Sequence, residues 1–350
     1  MSYDLHQRRA GVLLHPTSFP SGKLGDAARW LDFLEATGLS VWQVLPLGVP
    51  QDDLSPYQCL SAFAGNPALL DEMEMLDAAS GDFRAYCREQ HYWLEDYALF
   101  RIIKELQQDR AWFQWPEELK WRNHEALAIV SETHADALLE LKWEQYQLHN
   151  RWQALKQEAH RRNIRLFGDM PIFVAHDSAD VWANPKRFLL DEQGLPAWVT
   201  GVPPDYFSET GQRWGNPHYD WEYHKEENFD WWVARMRNHF EWFDLVRIDH
   251  FRGLQAVWMI DADAGPKADL GPIAIKGADA VDPDFIRTYS RLKAGQAYSP
   301  EELTDAANRL RTLKTFDSVV INTGDSLDEN GQLPTTITVK DGKFRYFGFG

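Results

Sequence analysis

The stretch DLVRIDHFRG, from Asp244 to Gly253, places ionisable side chains directly after an apolar run. In it Asp249 follows Arg247 by two residues and precedes His250. A cation fixed beside a carboxylate favours the ionised form of that carboxylate. An ionised carboxylate can attack an electrophilic carbon, so this spacing makes Asp249 a candidate nucleophile. The alternative is that Asp249 only caps a helix or forms a turn.

Polar and aromatic residues follow other apolar runs in the same way. Asp169 lies in GDMPIF and Tyr57 lies in SPYQ, while DYFSETGQRWGNP contains Tyr206, Phe207 and Trp214. Aromatic faces beside carboxylates can stack on pyranose rings, so we predict a carbohydrate ligand. Asp169 could equally accept structural hydrogen bonds, and Tyr206 and Trp214 could serve only in packing.

Enzymes that break a glycosidic bond with retention usually use two carboxyl groups. One is ionised and attacks the sugar, and the second, protonated and about 5 Å away, protonates the leaving oxygen. His176, Asp177 and Asp180 in AHDSAD are of metal-binding types, but Asp177 or Ser178 capping a helix explains them more simply. The sequence contains no zinc motif, phosphate-binding glycine loop or serine nucleophile elbow, and we predict neither metal nor cofactor.

Four apolar runs can supply the strands that position these residues: AGVLLHP, VWQVLPLG, IRLFGDMPIF and FDLVRIDHF. A helix with Asp26 as N-cap and Gly38 as C-cap is predicted between the first two. Trp152, Leu155 and Ala159 share one side of a helix that leads into the third. A mostly helical insertion, about residues 51–150, separates the second and third. This order predicts an α/β fold, a partial (β/α)8 TIM barrel of about four strands, with a doubly wound sheet as the alternative.

The composition changes near residue 260. All 16 Trp lie at or before Trp258 and all 12 His at or before His250. We therefore predict one domain over residues 1–260 and another over residues 266–350. The second contains a strand in GPIAIKGA, proline-initiated helices after Asp282 and Ser299, and strands in FDSVVINT and LPTTITVK. This β-α-α-β-β order predicts a small α+β module.

Charge and hydropathy exclude some partners. The net charge of −17 argues against binding to nucleic acid, which requires a basic face. No run of eighteen apolar residues occurs, and the N-terminus lacks the apolar segment of a signal peptide. We predict no membrane segment and a cytoplasmic location.

Taken together, five motifs resemble those of the amylomaltases, the 4-α-glucanotransferases of bacterial maltodextrin and glycogen metabolism. The resemblance covers about residues 11–258 and rests on GVLLHPTSFPS, SPYQ...SAFAGNP, GDMPIFVAHDSADVWA, GVPPDYFSETGQRWGNPHYDW and RIDHFRG. It implies that Asp249 is the nucleophile, that Tyr57 and Trp214 contact glucan, and that residues 206–214 form a flexible loop over the cleft. With it we predict that Asp169, Tyr206, Phe207, Arg247 and His250 also bind substrate, which would be maltodextrin or another α-1,4-glucan. The implied reaction is retaining transfer of glucan segments, with no cofactor or metal.

The sequence departs from that family after RIDHFRG. Amylomaltases continue to a Glu on the fifth strand, usually within EDLG, and to another acidic residue on the seventh; this sequence lacks the pattern. Because the usual acid is missing, we expect very low or absent activity. A non-catalytic glucan-binding protein is the alternative.

Residues from about 261 to 350 resemble another family, the POTRA modules of outer-membrane assembly proteins of the TamA type. The likeness is carried by DPDFIRTYSRLKAGQAYSPEELTDAANRLRTLKTFDSVVI and by KFRYFGFG. It implies that the tail could bind a partner peptide as an added strand at its sheet edge. A protein-interaction module is therefore a third hypothesis for function.

Overall fold

The computed structural model describes residues 8–51, 53–203, 211–262, 269–278, 280–296, 298, 300–323, 328, 330 and 332–342. The chain forms two compact units. Unit 1 comprises Met1–Ala197 and Asn216–Gln255, and unit 2 comprises Trp198–Gly215 and Ala256–Gly350. Unit 2 thus includes a segment from the middle of the chain. The domain boundaries expected from composition, 1–260 and 266–350, stay a prediction.

The helices and strands follow one another along the chain, with short 3-10 turns between some of them. Up to residue 171 they are β1 (Gly11–Leu13), α1 (Ala27–Thr37), β2 (Val41–Gln43), α2 (Gly81–Glu89), α3 (His91–Leu106), α4 (Glu117–Lys120), α5 (His124–Thr133), α6 (Ala135–Arg161) and β3 (Arg165–Pro171). From residue 179 to 261 they are α7 (Ala179–Ala183), β4 (Trp198–Val202), β5 (Gln212–Pro217), α8 (Trp221–Glu226), α9 (Asp230–Trp242), β6 (Leu245–Asp249) and β7 (Trp258–Asp261). The remainder are β8 (Asp269–Lys276), α10 (Pro283–Ser290), α11 (Pro300–Thr312), β9 (Phe316–Thr323) and β10 (Gln332–Asp341).

The sheet of unit 1 has the order β1-β2-β3-β6, and every neighbouring pair is parallel. These are the four strands predicted from the apolar runs, so the α/β fold with a parallel sheet is confirmed. Strand order follows chain order without a reversal. That order is the one a barrel uses, whereas a doubly wound sheet reverses direction at a switch point.

Helix α1 shows one correct and one wrong prediction about its ends. Gly38 has φ of 73° and ends the helix in the left-handed conformation that glycine adopts without a steric penalty. Asp26, however, does not cap it: its carboxylate accepts a hydrogen bond from the backbone N–H of Ser21 at 2.8 Å. The reason is that Asp26 ends a 3-10 turn with helical φ and ψ, whereas an N-cap needs an extended backbone.

The core of unit 1 lies between the parallel sheet and the helices that cover it. Trp152, Leu155 and Ala159 of α6 are buried there, as predicted from their spacing. Trp152 packs against Trp42 of β2 with ring centroids 6.2 Å apart. The insertion between β2 and β3 is helical, as predicted, and consists of α2 to α5 with the first turns of α6.

Unit 2 contains two three-stranded sheets, with orders β8-β10-β9 and β5-β4-β7. Strands β4 and β7 are antiparallel, with Val199 opposite Ile260. No strand was predicted from the sequence between the third and fourth apolar runs, so β4 and β5 were missed.

The last part of unit 2 has the predicted β-α-α-β-β order, since β8, α10, α11, β9 and β10 follow one another. Strand β10 is parallel to β8 and antiparallel to β9. Asp282 caps α10 by accepting from the N–H of Asp284 at 2.8 Å, with Pro283 as first residue. The module buries its own core: Leu270, Ile273, Ile286, Leu292, Ala306, Ala307, Leu310, Phe316, Val319, Leu333, Ile337 and Val339. The resemblance of this module to POTRA modules stays a prediction.

Candidate active site

The candidate site lies at the carboxyl ends of two adjacent parallel strands of unit 1. In the register of β3 and β6, Asp169 stands opposite Arg247 and Pro171 stands opposite Asp249. Residues two apart on a strand point to the same face of the sheet. Asp169, Arg247 and Asp249 therefore share one face, at the strand ends where barrel enzymes place their chemistry.

Arg247 connects the two carboxylates. One of its terminal nitrogens donates to Asp169 Oδ2 at 2.5 Å, and the other donates to Asp249 Oδ1. The hydroxyl of Tyr57 donates to the same Asp169 oxygen at 2.8 Å and lies 3.4 Å from the Arg247 guanidinium. Four predicted site residues thus form one hydrogen-bonded network. Within it the side chain of Asp169 is fully buried, whereas 32% of the Asp249 side chain is exposed, as access for a ligand requires.

Burial is the largest influence on the pKa values of Asp169 and Tyr57. It raises the pKa of Asp169, and the hydrogen bond from Tyr57 and the charge of Arg247 oppose that rise. Burial, followed by the hydrogen bond to Asp169, raises the pKa of Tyr57 to about 12. The Tyr57 hydroxyl therefore stays protonated at neutral pH and acts as a donor to Asp169.

His250 follows the nucleophile candidate in a strained backbone conformation. Its φ of 51° is left-handed, which a non-glycine residue adopts at a cost. The chain then turns through Gly253, where a Cβ would lie 3.0 Å from His250 and 3.2 Å from Phe173. Burial lowers the pKa of His250, although the charge of Asp249 opposes this. The tight turn fixes the backbone immediately after Asp249.

Of the other predicted substrate contacts, one lies in unit 2 and two lie outside the described residues. Trp214 lies on β5 in unit 2, half-buried, and its indole N–H donates to the side chain of Gln212 at 3.0 Å. Tyr206 and Phe207 lie in residues 204–210, outside the described residues. The substrate-binding roles of all these residues stay predictions.

The residues that resembled metal ligands have structural partners. Asp177 accepts from Lys104 Nζ at 2.5 Å, and Ser178 caps α7 by accepting from the N–H of Val181. Within the described ranges, no group of three or more His, Cys, Asp or Glu side chains is arranged to hold a metal ion.

Arg235 of α9 is a charged residue near the site that sequence reasoning missed. It is 1% exposed and donates to the backbone carbonyls of Pro171 and Ile172, at the carboxyl end of β3. The signal was available in WWVARMRNHF, where Arg235 falls on the same helical face as Trp231 and Trp232. A cation on the apolar face of a helix indicates a buried charge with a specific partner.

Arg235 and Asp169 also line one cavity of unit 1. Its volume is about 70 Å³, which can hold several water molecules. Among the described residues, neither Asp169 Oδ1 nor Arg235 Nε has a hydrogen-bond partner, although both atoms are buried. The residues that line the cavity thus include one buried acceptor and one buried donor for which no described partner is present.

No helix in the part of the chain that the structure describes is long and apolar enough to cross a membrane.

Curated relatives with named activity match most of the chain. It is 42% identical over 306 residues to the 4-alpha-glucanotransferase of Synechocystis sp., covering 73% of this chain and 61% of the relative. It is 41% identical over 317 residues to the 4-alpha-glucanotransferase of Thermus thermophilus, covering 77% of this chain and 62% of the relative. The chain thus spans about three fifths of the length of the curated relatives it matches.

Two solved amylomaltase structures have a fold similar to that of this chain. An amylomaltase from Streptococcus agalactiae in complex with acarbose matches with a TM-score of 0.69 and 33% identity, covering 74% of this chain and 62% of that one. An amylomaltase from Corynebacterium glutamicum matches with a TM-score of 0.56 and 16% identity, covering 74% of this chain and 43% of that one, which shows similarity of fold alone.

A family model described as 4-alpha-glucanotransferase matches residues 12–80 and 71–308. The second match extends beyond residue 258, where the resemblance seen in the sequence ended, into the tail assigned to the POTRA-like module. Because the matched residues make up more than half of the chain, the chain belongs to the 4-alpha-glucanotransferase family.

Proposed function

We propose that the chain transfers α-1,4-glucan segments with retention, and that Asp249 is the nucleophile. The observation that carries this proposal is the position of Asp249: partly exposed at a strand end, with its carboxylate held by Arg247, which is itself fixed by buried Asp169. Family membership supports the reaction type. The geometry supports the choice of residue, because a nucleophile must be both oriented and accessible.

In the proposed reaction an oxygen of Asp249 attacks C1 of the donor sugar. A C1–O bond to the enzyme forms while the bond from C1 to the leaving oxygen breaks, and that oxygen takes up a proton from water. The 4-hydroxyl of a second glucan then attacks C1, loses its proton and releases Asp249 as a carboxylate. Two inversions give overall retention. Arg247 orients the carboxylate for the first attack.

The described network offers no side-chain acid for the leaving oxygen, so the proton comes from water. Within the described part of unit 1, the network holds no carboxyl group besides Asp169 and Asp249, and the sequence lacks the family's EDLG pattern. Tyr57 is a poor acid because its pKa is raised to about 12. General acid–base catalysis typically contributes about 10² to 10⁴-fold, so we infer that transfer between natural glucans is slow by roughly that factor.

A donor whose leaving group needs no proton tests nucleophilic attack by Asp249 separately from protonation of the leaving oxygen. α-Maltosyl fluoride loses fluoride, a weak base, without acid catalysis, whereas maltotriose requires protonation of its leaving oxygen. We expect fluoride release from α-maltosyl fluoride but little disproportionation of maltotriose. Asp249→Asn should lower fluoride release by more than about 10³-fold. Asp82→Asn, at an exposed position on α2, is the matched control and should leave the rate unchanged.

Each other outcome has a meaning. Equal fluoride release by the wild type and Asp249→Asn would reject Asp249 as the nucleophile. Rapid maltotriose disproportionation that is lost in Asp249→Asn would mean that another group supplies the proton. Glucan binding without fluoride release, unchanged in Asp249→Asn, would favour the alternative of a non-catalytic glucan-binding protein.

The cytoplasmic location remains a prediction.

A second candidate function, peptide binding by the tail, is favoured by the edges of its sheet. In the order β8-β10-β9, strands β8 and β9 are the two edges, and Val320 on β9 is 47% exposed. An edge strand offers backbone groups to a further strand. NMR titration of the labelled chain with extended peptides should shift amides of one edge strand only. Shifts scattered over the surface, or none, would reject this function.

A further inference from the structure

Arg235 lines the same cavity as Asp169, and its hydrogen bonds reach the carboxyl end of β3, the strand that carries Asp169. Its guanidinium donates to Ile172 O at 3.1 Å and to Pro171 O. Pro171 is the residue of β3 that stands opposite Asp249 in the parallel register. A hydrogen bond to the Pro171 carbonyl therefore fixes the backbone beside the nucleophile.

The surroundings of Arg235 leave it little freedom to move. Its guanidinium carbon lies 5.2 Å from the ring centre of Trp231 and 5.4 Å from that of Trp232. Tyr219, also buried, donates to the same Ile172 carbonyl at 2.7 Å. A planar guanidinium that contacts two rings and donates to two carbonyls is more restricted than a lysine ammonium on a flexible stem.

The charge of Arg235 is unusual for a buried group. Within the described residues it forms no ion pair with a carboxylate within 4.0 Å, and its hydrogen bonds go to two backbone carbonyl oxygens and the Tyr219 hydroxyl. The charge of buried Asp180 interacts with Arg235 without a direct ion pair, and burying a charge that lacks a direct ion pair costs free energy. A charge retained at that cost at the carboxyl end of β3 points to a positioning role, because a neutral side chain of the same size would fill the space at lower cost.

We propose that Arg235 is a positioning residue for the nucleophile, which fixes the carboxyl end of β3 and thereby the alignment of Asp169, Arg247 and Asp249. This inference rests on the proposed function of Asp249 and adds a residue that does not touch substrate. Misplacement of reacting atoms by about 1 Å can cost about 10²-fold in rate. The carbonyl contacts of Arg235 are what prevents such a displacement.

The test compares Arg235→Lys with Arg237→Lys in the full chain. Lysine at 235 keeps the charge but offers one point donor in place of the fork that reaches two carbonyls. Arg237 is exposed on the same helix, two residues further on, and is the matched control. We expect Arg235→Lys to lower the rate constant of fluoride release from α-maltosyl fluoride by about tenfold or more, with maltoheptaose affinity changed less than about threefold. Arg237→Lys should change neither.

A second measurement does not require turnover. With aspartate labelled at the carboxyl carbon, the ¹³C resonance of Asp249 can be assigned as the one lost in Asp249→Asn. Its chemical shift should change in Arg235→Lys and stay unchanged in Arg237→Lys. A folded Arg235→Lys variant with the wild-type resonance and the wild-type rate would overturn the inference. An altered resonance in a chain whose wild type releases no fluoride would retain the inference and reject the proposed function.

Discussion

At the scale of single residues, the hydroxyl of Tyr57 contributes to the stability of the fold through its hydrogen bond to Asp169. In Tyr57→Phe the Asp169 carboxylate loses its 2.8 Å hydrogen bond while remaining buried. We expect the free energy of unfolding at pH 7 to fall by about 1 to 3 kcal/mol, the usual contribution of a hydrogen bond to a charged group, with Arg247 still donating to the same oxygen. Urea unfolding measures this. Tyr289→Phe, at an exposed position on α10, should be neutral.

The stability difference between the wild type and Tyr57→Phe should depend on pH. The Tyr57 hydrogen bond lowers the pKa of Asp169 against the larger effect of burial, so its loss raises that pKa further. The hydrogen bond is strongest to the ionised carboxylate. The difference in unfolding free energy between wild type and Tyr57→Phe should therefore shrink as pH falls and Asp169 becomes protonated. A difference that stays constant between pH 7 and pH 4 would contradict this.

Buried His224 makes the free energy of unfolding fall in acid. It is fully buried, and burial, followed by the charge of Arg187, lowers its pKa to about 4. Below pH 6.5 the unfolded chain binds a proton there that the folded chain does not, so stability falls as pH drops from 6.5 to about 4. The loss should reach about 3 kcal/mol, at about 1.4 kcal/mol per pH unit. His224→Phe should remove the contribution of His224 to this slope, while buried His239, whose pKa burial also lowers to about 4, keeps its own contribution. Replacing exposed His124 with Gln should leave the whole slope unchanged.

Sequence reasoning at this scale found the residues that lie on predicted strands. Asp169, Arg247 and Asp249 come together because a period of two and a parallel register fix their face. Tyr57 joins them from the loop that follows the second strand, where SPYQ comes after an apolar run. Arg235 was missed because its partners are backbone carbonyls of another segment, and those partners have no signature of residue type.

At the scale of elements, close packing behind β3 makes a glycine necessary. A Cβ at Gly168 would lie 2.2 Å from the ring of Phe243, which follows α9. We expect Gly168→Ala to lower the free energy of unfolding by about 1 to 3 kcal/mol through overpacking, and to reduce fluoride release because β3 carries Asp169. Gly81→Ala, where nothing lies within 4 Å on α2, should be neutral or stabilising by up to about 1 kcal/mol.

Prediction of elements succeeded where the signal was local. The four parallel strands, the helical insertion and the β-α-α-β-β order each follow from apolar runs and proline-initiated helices. Strands β4, β5 and β7 were missed because their pairing joins segments far apart in the sequence, such as Val199 with Ile260. Asp26 failed as a cap because a preceding 3-10 turn decides its backbone conformation, which residue type alone does not reveal.

At the scale of the whole molecule, the two units bury separate cores. The core of the β8–β10 module draws all its buried side chains from residues 270–339, with Ile286, Leu310 and Ile337 fully buried. The core around Trp42 and Trp152 draws none of its side chains from that range. The stability of the tail should therefore not depend on the parallel sheet.

This independence gives the last prediction. Residues 266–350 expressed alone should give a dispersed NMR spectrum and unfold cooperatively, because the fragment retains its entire described core. Leu310→Ala should lower the free energy of unfolding of the fragment by about 2 to 5 kcal/mol, as expected for a fully buried leucine. Val320→Ala, at a position that is 47% exposed, is the control and should cost much less. A featureless spectrum of the wild-type fragment would show that the tail needs the preceding residues to fold, and would remove the basis for an independent interaction module.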